Sequence, residues 1–296
     1  MSQKTAEDLK EYLEQNGVTY GQLGSKVGYS KSAIARFIKG DFDNPDIEGK
    51  IKDFLEERKF QESNWEFIDT RSAKMIAEIC NQCYECADLG VIYGNAGFGK
   101  TTALTRYANQ NRGYAVYVKS YVTAKGRVLM NLIKEALGLP QVGYKPVHTA
   151  MREIINFLCL NHRLLIIDEA DLLNVKSLEV LRAIYDDSQC GMILAGLPRL
   201  LMNLTVGPQA KENLAQLYSR VGIQVQIPNI SFDELNHILK SYKIKDKEVI
   251  DAVYKRVEVA GMRKLAKILT RATRLAEINK TKITKKLIEK AEGLLI

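Results

Sequence analysis

An α/β fold built on a five-stranded, mainly parallel sheet is predicted by three observations in this 296-residue sequence. Five short apolar runs alternate with segments of helical periodicity, the pattern of strands joined by crossover helices. A glycine-rich turn, Gly94-Asn95-Ala96-Gly97-Phe98-Gly99-Lys100-Thr101, follows the first run and leads into a helix. The third run ends in two adjacent carboxylates, Asp168 and Glu169.

In chain order, the expected strands are residues 89–93, 115–118, 164–167, 191–195 and 222–227. Helices are expected over 72–87, 102–109, 127–137, 149–160 and 177–185, each carrying apolar residues at helical spacing. Ahead of this core, residues 20–40 fit a helix-turn-helix. Leu23, Val27, Tyr29, Ile34 and Phe37 fall where two crossed helices bury side chains, Gly24 permits close approach, Gly28 makes the turn and Ser30 can cap the second helix. Lys31, Ser32, Ala35, Arg36 and Lys39 are then left facing outward, a surface suited to a DNA major groove. Residues 41–45 break the pattern, a helix is expected over 47–58, and a linker near 60–63. The organisation read from the sequence is therefore an N-terminal all-α helix-turn-helix domain (1–62), an α/β P-loop core (63–230) and a small basic helical lid (231–296).

The glycine-rich turn meets every fixed position of the phosphate-binding P-loop. A strand, a tight turn and a helix N-terminus aim backbone N–H groups and the helix dipole at one point, which suits a polyphosphate. Gly94, Asn95, Ala96, Gly97, Phe98 and Gly99 wrap the phosphates, and Thr102 continues the contact from the helix. Lys100 can reach the β- and γ-phosphates, and Thr101 can ligate Mg²⁺. ATP with Mg²⁺ is the ligand this motif implies.

An apolar strand ending in two acids about 70 residues later is the Walker B arrangement. Asp168 is placed to hold Mg²⁺ and Glu169 to polarise the attacking water, so hydrolysis is expected and not binding alone. Asp168 to Asp171 also spells the DEAD box of RNA helicases, but 296 residues with an N-terminal extension leave little room for a second RecA-like domain. Arg220, just before the last strand, is where ring-forming ATPases place an arginine finger. Arg263, in Gly261-Met262-Arg263 at the start of an expected helix, sits where a second sensor arginine does.

Net charge is +8, and most of the excess lies in residues 231–296, with sixteen basic against nine acidic side chains. Such an excess suits nucleic acid or a solvated helical surface. No apolar run approaches a membrane span and the N-terminus lacks a signal-peptide core, so a cytoplasmic protein with no membrane partner is expected. Cys80, Cys83 and Cys86 have CxxCxxC spacing; helical periodicity puts them on one face with Ile76 and Ile79, which reads as core packing more than as metal ligation.

The segments Gly94–Thr101, LLIIDEADL (164–172), MILAGLPRL (192–200) and LYSRV (217–221), in this module order, resemble the phage Mu transposition protein B family, AAA+ ATPases of DNA transposition. The resemblance implies ATP-dependent, largely sequence-independent binding of double-stranded DNA by a homo-oligomeric helical filament or ring. It further implies delivery of target DNA to a transposase, stimulation of that enzyme, and filament release on hydrolysis. Lys119, Lys125, Arg127 and Lys145 are candidates for phosphate contacts, with Tyr117, Tyr121 and Tyr144 interleaved among them. Where AAA+ proteins usually carry a polar first sensor, this sequence has Leu197, which predicts slow intrinsic hydrolysis. An ATP-switched transcriptional regulator and a helicase loader or replication initiator are the alternatives.

Overall fold

Alternation along the strands decides which helices cover each face of the sheet. In the computed structural model the strands are β1 (Leu89–Tyr93), β2 (Ala115–Lys119), β3 (Leu164–Asp168), β4 (Gly191–Gly196) and β5 (Val221–Gln226). All pair in parallel, in the order β2-β3-β4-β1-β5. Leu89, Val91, Val116, Val118, Leu165, Ile167, Met192 and Leu194 point to one face; Ile92, Ala115, Leu164, Ile166, Ile193 and Ala195 point to the other. Each such leucine, isoleucine or valine buried in full contributes about 1.5–3 kcal/mol relative to exposure.

The structure describes residues 2–16, 19–41, 44–62, 69–140, 146–205, 214–242 and 244–293. They form two compact units, Met1–Ile68 and Asp69–Ile296. The first unit is helical: α1 (Ser2–Asn16), α2 (Tyr20–Val27), α3 (Lys31–Lys39) and α4 (Pro45–Glu62). Its core joins Leu9 and Leu13 of α1 to Leu23, Ile34, Phe37, Ile47, Ile51 and Leu55. The Ser30 side chain accepts from Ala33 N at 3.2 Å and caps α3. A side chain at Gly24 would strike Tyr29 O, so glycine is what lets α2 lie this close to the turn. Helix α1 has no counterpart in the expectations, and α4 runs to Glu62 while the division between units falls after Ile68, beyond the expected boundary.

In the second unit, α5 (Arg71–Cys86) and α6 (Lys100–Gln110) pack on one face of the sheet. The other face carries α7 (Arg127–Ala136), α8 (Val147–Leu160), α9 (Val175–Ser188), α10 (Arg199–Thr205) and α11 (Ala215–Tyr218). Cys80 and Cys83 are buried against β1 and β4, but Cys86 is exposed, so the trio does not share a face. Three-residue steps fall 60° short of a full turn each, and the third cysteine has rotated out of the stripe. Burial drives the thiols of Cys80 and Cys83 upward in pKa, that of Cys83 to about 12.

The C-terminal helices are α12 (Phe232–Ser241), α13 (Lys247–Ile278) and α14 (Lys285–Gly293). A reciprocal capping box, Ser231 with Glu234, starts α12, and Glu234 Oε1 also accepts from Arg71 N at 2.7 Å, tying α12 to the start of α5. The helix expected to begin at Gly261 does so: α13 is two helical stretches meeting at a kink there, where Gly261 has φ 74° and ψ 174°. Among the described residues no helix is long and apolar enough to cross a membrane.

Candidate functional site

The glycine-rich turn lies between β1 and α6 at the carboxyl edge of the sheet, where parallel α/β proteins bind ligands. Gly97 and Gly99 take positive φ, 83° and 84°, and Phe98 is buried beneath the turn. Lys100 is itself buried, its ammonium donating to Gly94 O at 2.7 Å and Asn95 O at 2.8 Å. Burial lowers its pKa, Asp168 and Asp171 oppose that shift, and Arg263 adds to it, which sets all three charges around one lysine. Thr102 is exposed in the first turn of α6.

Asp168 ends β3, 2% exposed, beside the P-loop helix. Its Oδ2 accepts from Thr101 Oγ1 at 2.7 Å and Tyr117 OH at 2.9 Å, and its Oδ1 from Glu169 N at 2.8 Å. The hydroxyl and carboxylate expected to share a metal are thus in direct contact. Both are hard oxygen donors, the set that Mg²⁺ takes together with phosphate oxygens. Among the described residues no cluster of three or more His, Cys, Asp or Glu converges on a metal position, so phosphates and water would have to complete its shell.

Glu169 adopts a left-handed backbone (φ 56°, ψ 32°), rare for a residue with a side chain and common where a site is held under constraint. The Ser120 hydroxyl fastens it by donating to Glu169 O at 2.7 Å. Its carboxylate pairs with the Lys119 ammonium at 3.3 Å. Lys119, expected on a DNA-facing surface, is therefore engaged at the nucleotide site. The cause is register: β2 pairs with β3 so that Lys119 lies opposite Asp168.

The kink in α13 lies on the P-loop. A Cβ at Gly261 would come within 3.0 Å of Ala96 O, and Arg263 N donates to Gly97 O at 3.2 Å. The Arg263 side chain is exposed, with its charge felt at Lys100. Arg220 stands apart from this group. Its guanidinium pairs with Asp186 at 3.2 Å and donates to Gln216 O and Ser219 Oγ, on an exposed surface formed by α9 and α11.

Of the remaining candidates, Lys31, Ser32, Arg36 and Lys39 are exposed on α3 over buried Ile34 and Phe37, while Ala35 is half-buried instead of facing outward. Lys125 and Arg127 are exposed after β2, near exposed Tyr121 and Val122. Lys145 and Tyr144 lie outside the described residues. Tyr117 serves the site through its bond to Asp168. Tyr117, Ser120, Asp171 and Arg199 went unrecognised as parts of the site; the β2–β3 register brings Tyr117 and Ser120 there, Asp171 lies in the turn that follows β3, and Arg199 joins it by an ion pair.

Residues 85–204 match the AAA domain family. The chain is 27% identical over 277 residues to a Staphylococcus aureus protein described as a potential ATP-binding protein, covering 79% of this chain and 97% of that one. It is 23% identical over 260 residues to the Mu-like prophage FluMu DNA transposition protein B of Haemophilus influenzae, covering 86% and 90%. It is 26% identical over 277 residues to the ATP-dependent target DNA activator B of Escherichia phage Mu, covering 90% and 86%. Among solved structures, domain III of the Thermotoga maritima replication initiation protein DnaA aligns with TM-score 0.52 at 14% identity, covering 79% of this chain and 95% of that one. A RuvB mutant from Thermotoga maritima aligns with TM-score 0.50 at 18% identity, covering 77% and 70%. At such identities the structural likenesses speak for the fold alone, that of the AAA+ P-loop ATPases.

Proposed function

We propose that this AAA+ ATPase, a relative of the Mu transposition B proteins, assembles with ATP on double-stranded DNA and presents that DNA to a transposase. The observation that carries the reading is the convergence of Lys100, Thr101, Asp168 and the Gly261 kink on the P-loop, in a chain whose relatives include a target DNA activator. In this reading Gly94–Gly99 wrap the phosphates, Lys100 leaves its two carbonyls for the β- and γ-oxygens, and Thr101 and Asp168 would hold Mg²⁺, which would supply charge neutralisation for phosphoryl transfer. Glu169 takes the proton of the attacking water once Lys119 lets go of it. Arg263 contacts phosphate in its own subunit. Arg220, exposed and displaced from its own pocket, exchanges Asp186 for the γ-phosphate of a neighbouring subunit.

Leu197 offers no hydrogen bond to the attacking water, so hydrolysis is slow until partners engage. Residues 1–62 act as a helix-turn-helix module that adds DNA contacts through Lys31, Ser32, Arg36 and Lys39; 63–230 and 231–296 work as core and lid. Lys125, Arg127 and Lys145 meet phosphates, and Lys119 joins them when it leaves Glu169. The setting is the cytoplasm, where transposase and target DNA meet.

The test is binding of the full chain to a random-sequence duplex with ATP, without ATP, and with Lys100→Ala, imaged by negative-stain electron microscopy. ATP-dependent filaments or rings on arbitrary DNA, absent in the variant, are expected. Binding confined to selected sequences, or indifferent to nucleotide, would replace this reading with that of a regulator.

A further inference from the structure

Asp171 is a buried acid beside the pocket to which the reading above gives no task. Its side chain is 3% exposed. One oxygen accepts from Leu197 N at 3.1 Å and the other from Arg199 Nε at 2.6 Å. The carboxylate lies flush against Gly196, where a Cβ would come within 2.5 Å of Oδ1. Burying a carboxylate is costly unless donors meet it, and here both are drawn from the segment that follows β4.

That segment occupies a particular place. Strand β4 lies between β1, which leads into the P-loop, and β3, which ends in Asp168. Gly94 N donates to Gly196 O at 3.3 Å, and Gly94 O accepts from Lys100 at 2.7 Å, so the P-loop lysine and the end of β4 share one residue. The Asp171 charge also reaches Lys100. Arg199 is half exposed, anchored by Nε alone, and among the described residues its two terminal nitrogens donate to nothing. A guanidinium held this way presents an N–H pair that fits phosphate oxygens.

We propose that Arg199, aimed by Asp171, reads the terminal phosphate of the bound nucleotide and takes over the part that Leu197 has no polar group to play. Asp171 is then a positioning residue: it fixes Leu197 N and the Arg199 guanidinium together at the edge of the pocket. The proposal rests on the ATP site described under the proposed function. It makes Arg199 a discriminator between ATP and ADP, separate from the P-loop, which serves both.

The experiment measures equilibrium affinity of the full chain for Mg-ATP and for ADP by displacement of a fluorescent nucleotide. Arg199→Ala should weaken ATP about tenfold and leave ADP unchanged, the size of one lost charge-assisted contact. Arg199→Lys should recover part of the ATP preference, and Asp171→Asn, which keeps an acceptor for Leu197 N, should fall between. Because Arg199→Ala leaves Asp171 unpaired and risks misfolding, Arg199→Gln, which retains a donor, is measured beside it. An ATP to ADP affinity ratio unchanged in Arg199→Gln and Arg199→Lys overturns the proposal while leaving the ATP site intact. Wild-type protein that binds neither nucleotide overturns both.

Discussion

The nucleotide pocket and the outer face of α3 are both basic, yet they hold their cations in opposite ways. In the pocket, Lys100 is bonded to two carbonyls, Lys119 to Glu169 and Arg199 to Asp171. On α3, Lys31 and Lys39 stand exposed above a core of Ile34 and Phe37. A group held by its neighbours works by position. A group that stands exposed works by charge, and removing it costs a share. Loss of the buried, doubly bonded Lys100 should therefore be severe, and substitutions on α3 graded and sensitive to salt.

The largest effect should come from Lys100→Ala. ATP affinity by calorimetry is expected to fall at least about a hundredfold, because a charge-assisted clamp on two phosphates is lost from a desolvated site. A loss of only a few-fold would make the pocket behave like the surface and break the contrast. Next, Glu169→Gln should keep ATP binding and lower turnover by about 10²–10⁴-fold, the usual contribution of a positioned base; its DNA-bound state should outlast that of the wild type. Rapid release of that variant from DNA would count against Glu169 as the base.

Gly261→Ala sharpens the comparison by testing backbone instead of charge. The positive φ and the approach to Ala96 O should together destabilise the α13 kink by about 1–3 kcal/mol, read by denaturation, and ATP affinity should drop with it. On α3, Lys31→Ala and Lys39→Ala should each weaken DNA binding a few-fold, with the slope of log affinity against log salt reduced by about one per lysine. Equal loss at all salt concentrations would show that α3 acts by shape. The smallest effect is chemical: native protein treated with iodoacetamide should be modified at Cys86 and Cys159, with Cys80, Cys83 and Cys190 reacting only after unfolding.

The same contrast explains what could be read from the sequence. The P-loop, the acidic pair after β3 and the five strands were legible because each is a local pattern with one physical solution. The partners of Glu169 were not, because Lys119 and Ser120 reach it only through the register of β2 on β3. Asp171 was read as the fourth letter of a helicase motif, while its contacts lie 26 and 28 residues away. Helix ends moved where caps went unrecognised: α9 begins at Val175 because the Asn174 side chain accepts from Ser177 N. Helix α1 escaped notice as a largely polar segment whose few apolar residues find partners only in the folded unit.

The internal pairing of the pocket has a consequence for what it refuses. Inorganic phosphate or pyrophosphate could release Lys100 from its carbonyls, but would leave the contacts of Thr101 with Asp168 and of Lys119 with Glu169 standing. In the proposed reading, a metal-bound triphosphate with its attacking water would replace them together. In a cell where free phosphate is abundant, a site that satisfies itself is a filter as well as a receptor: partial ligands compete against the protein's own bonds, and only the complete one repays their loss.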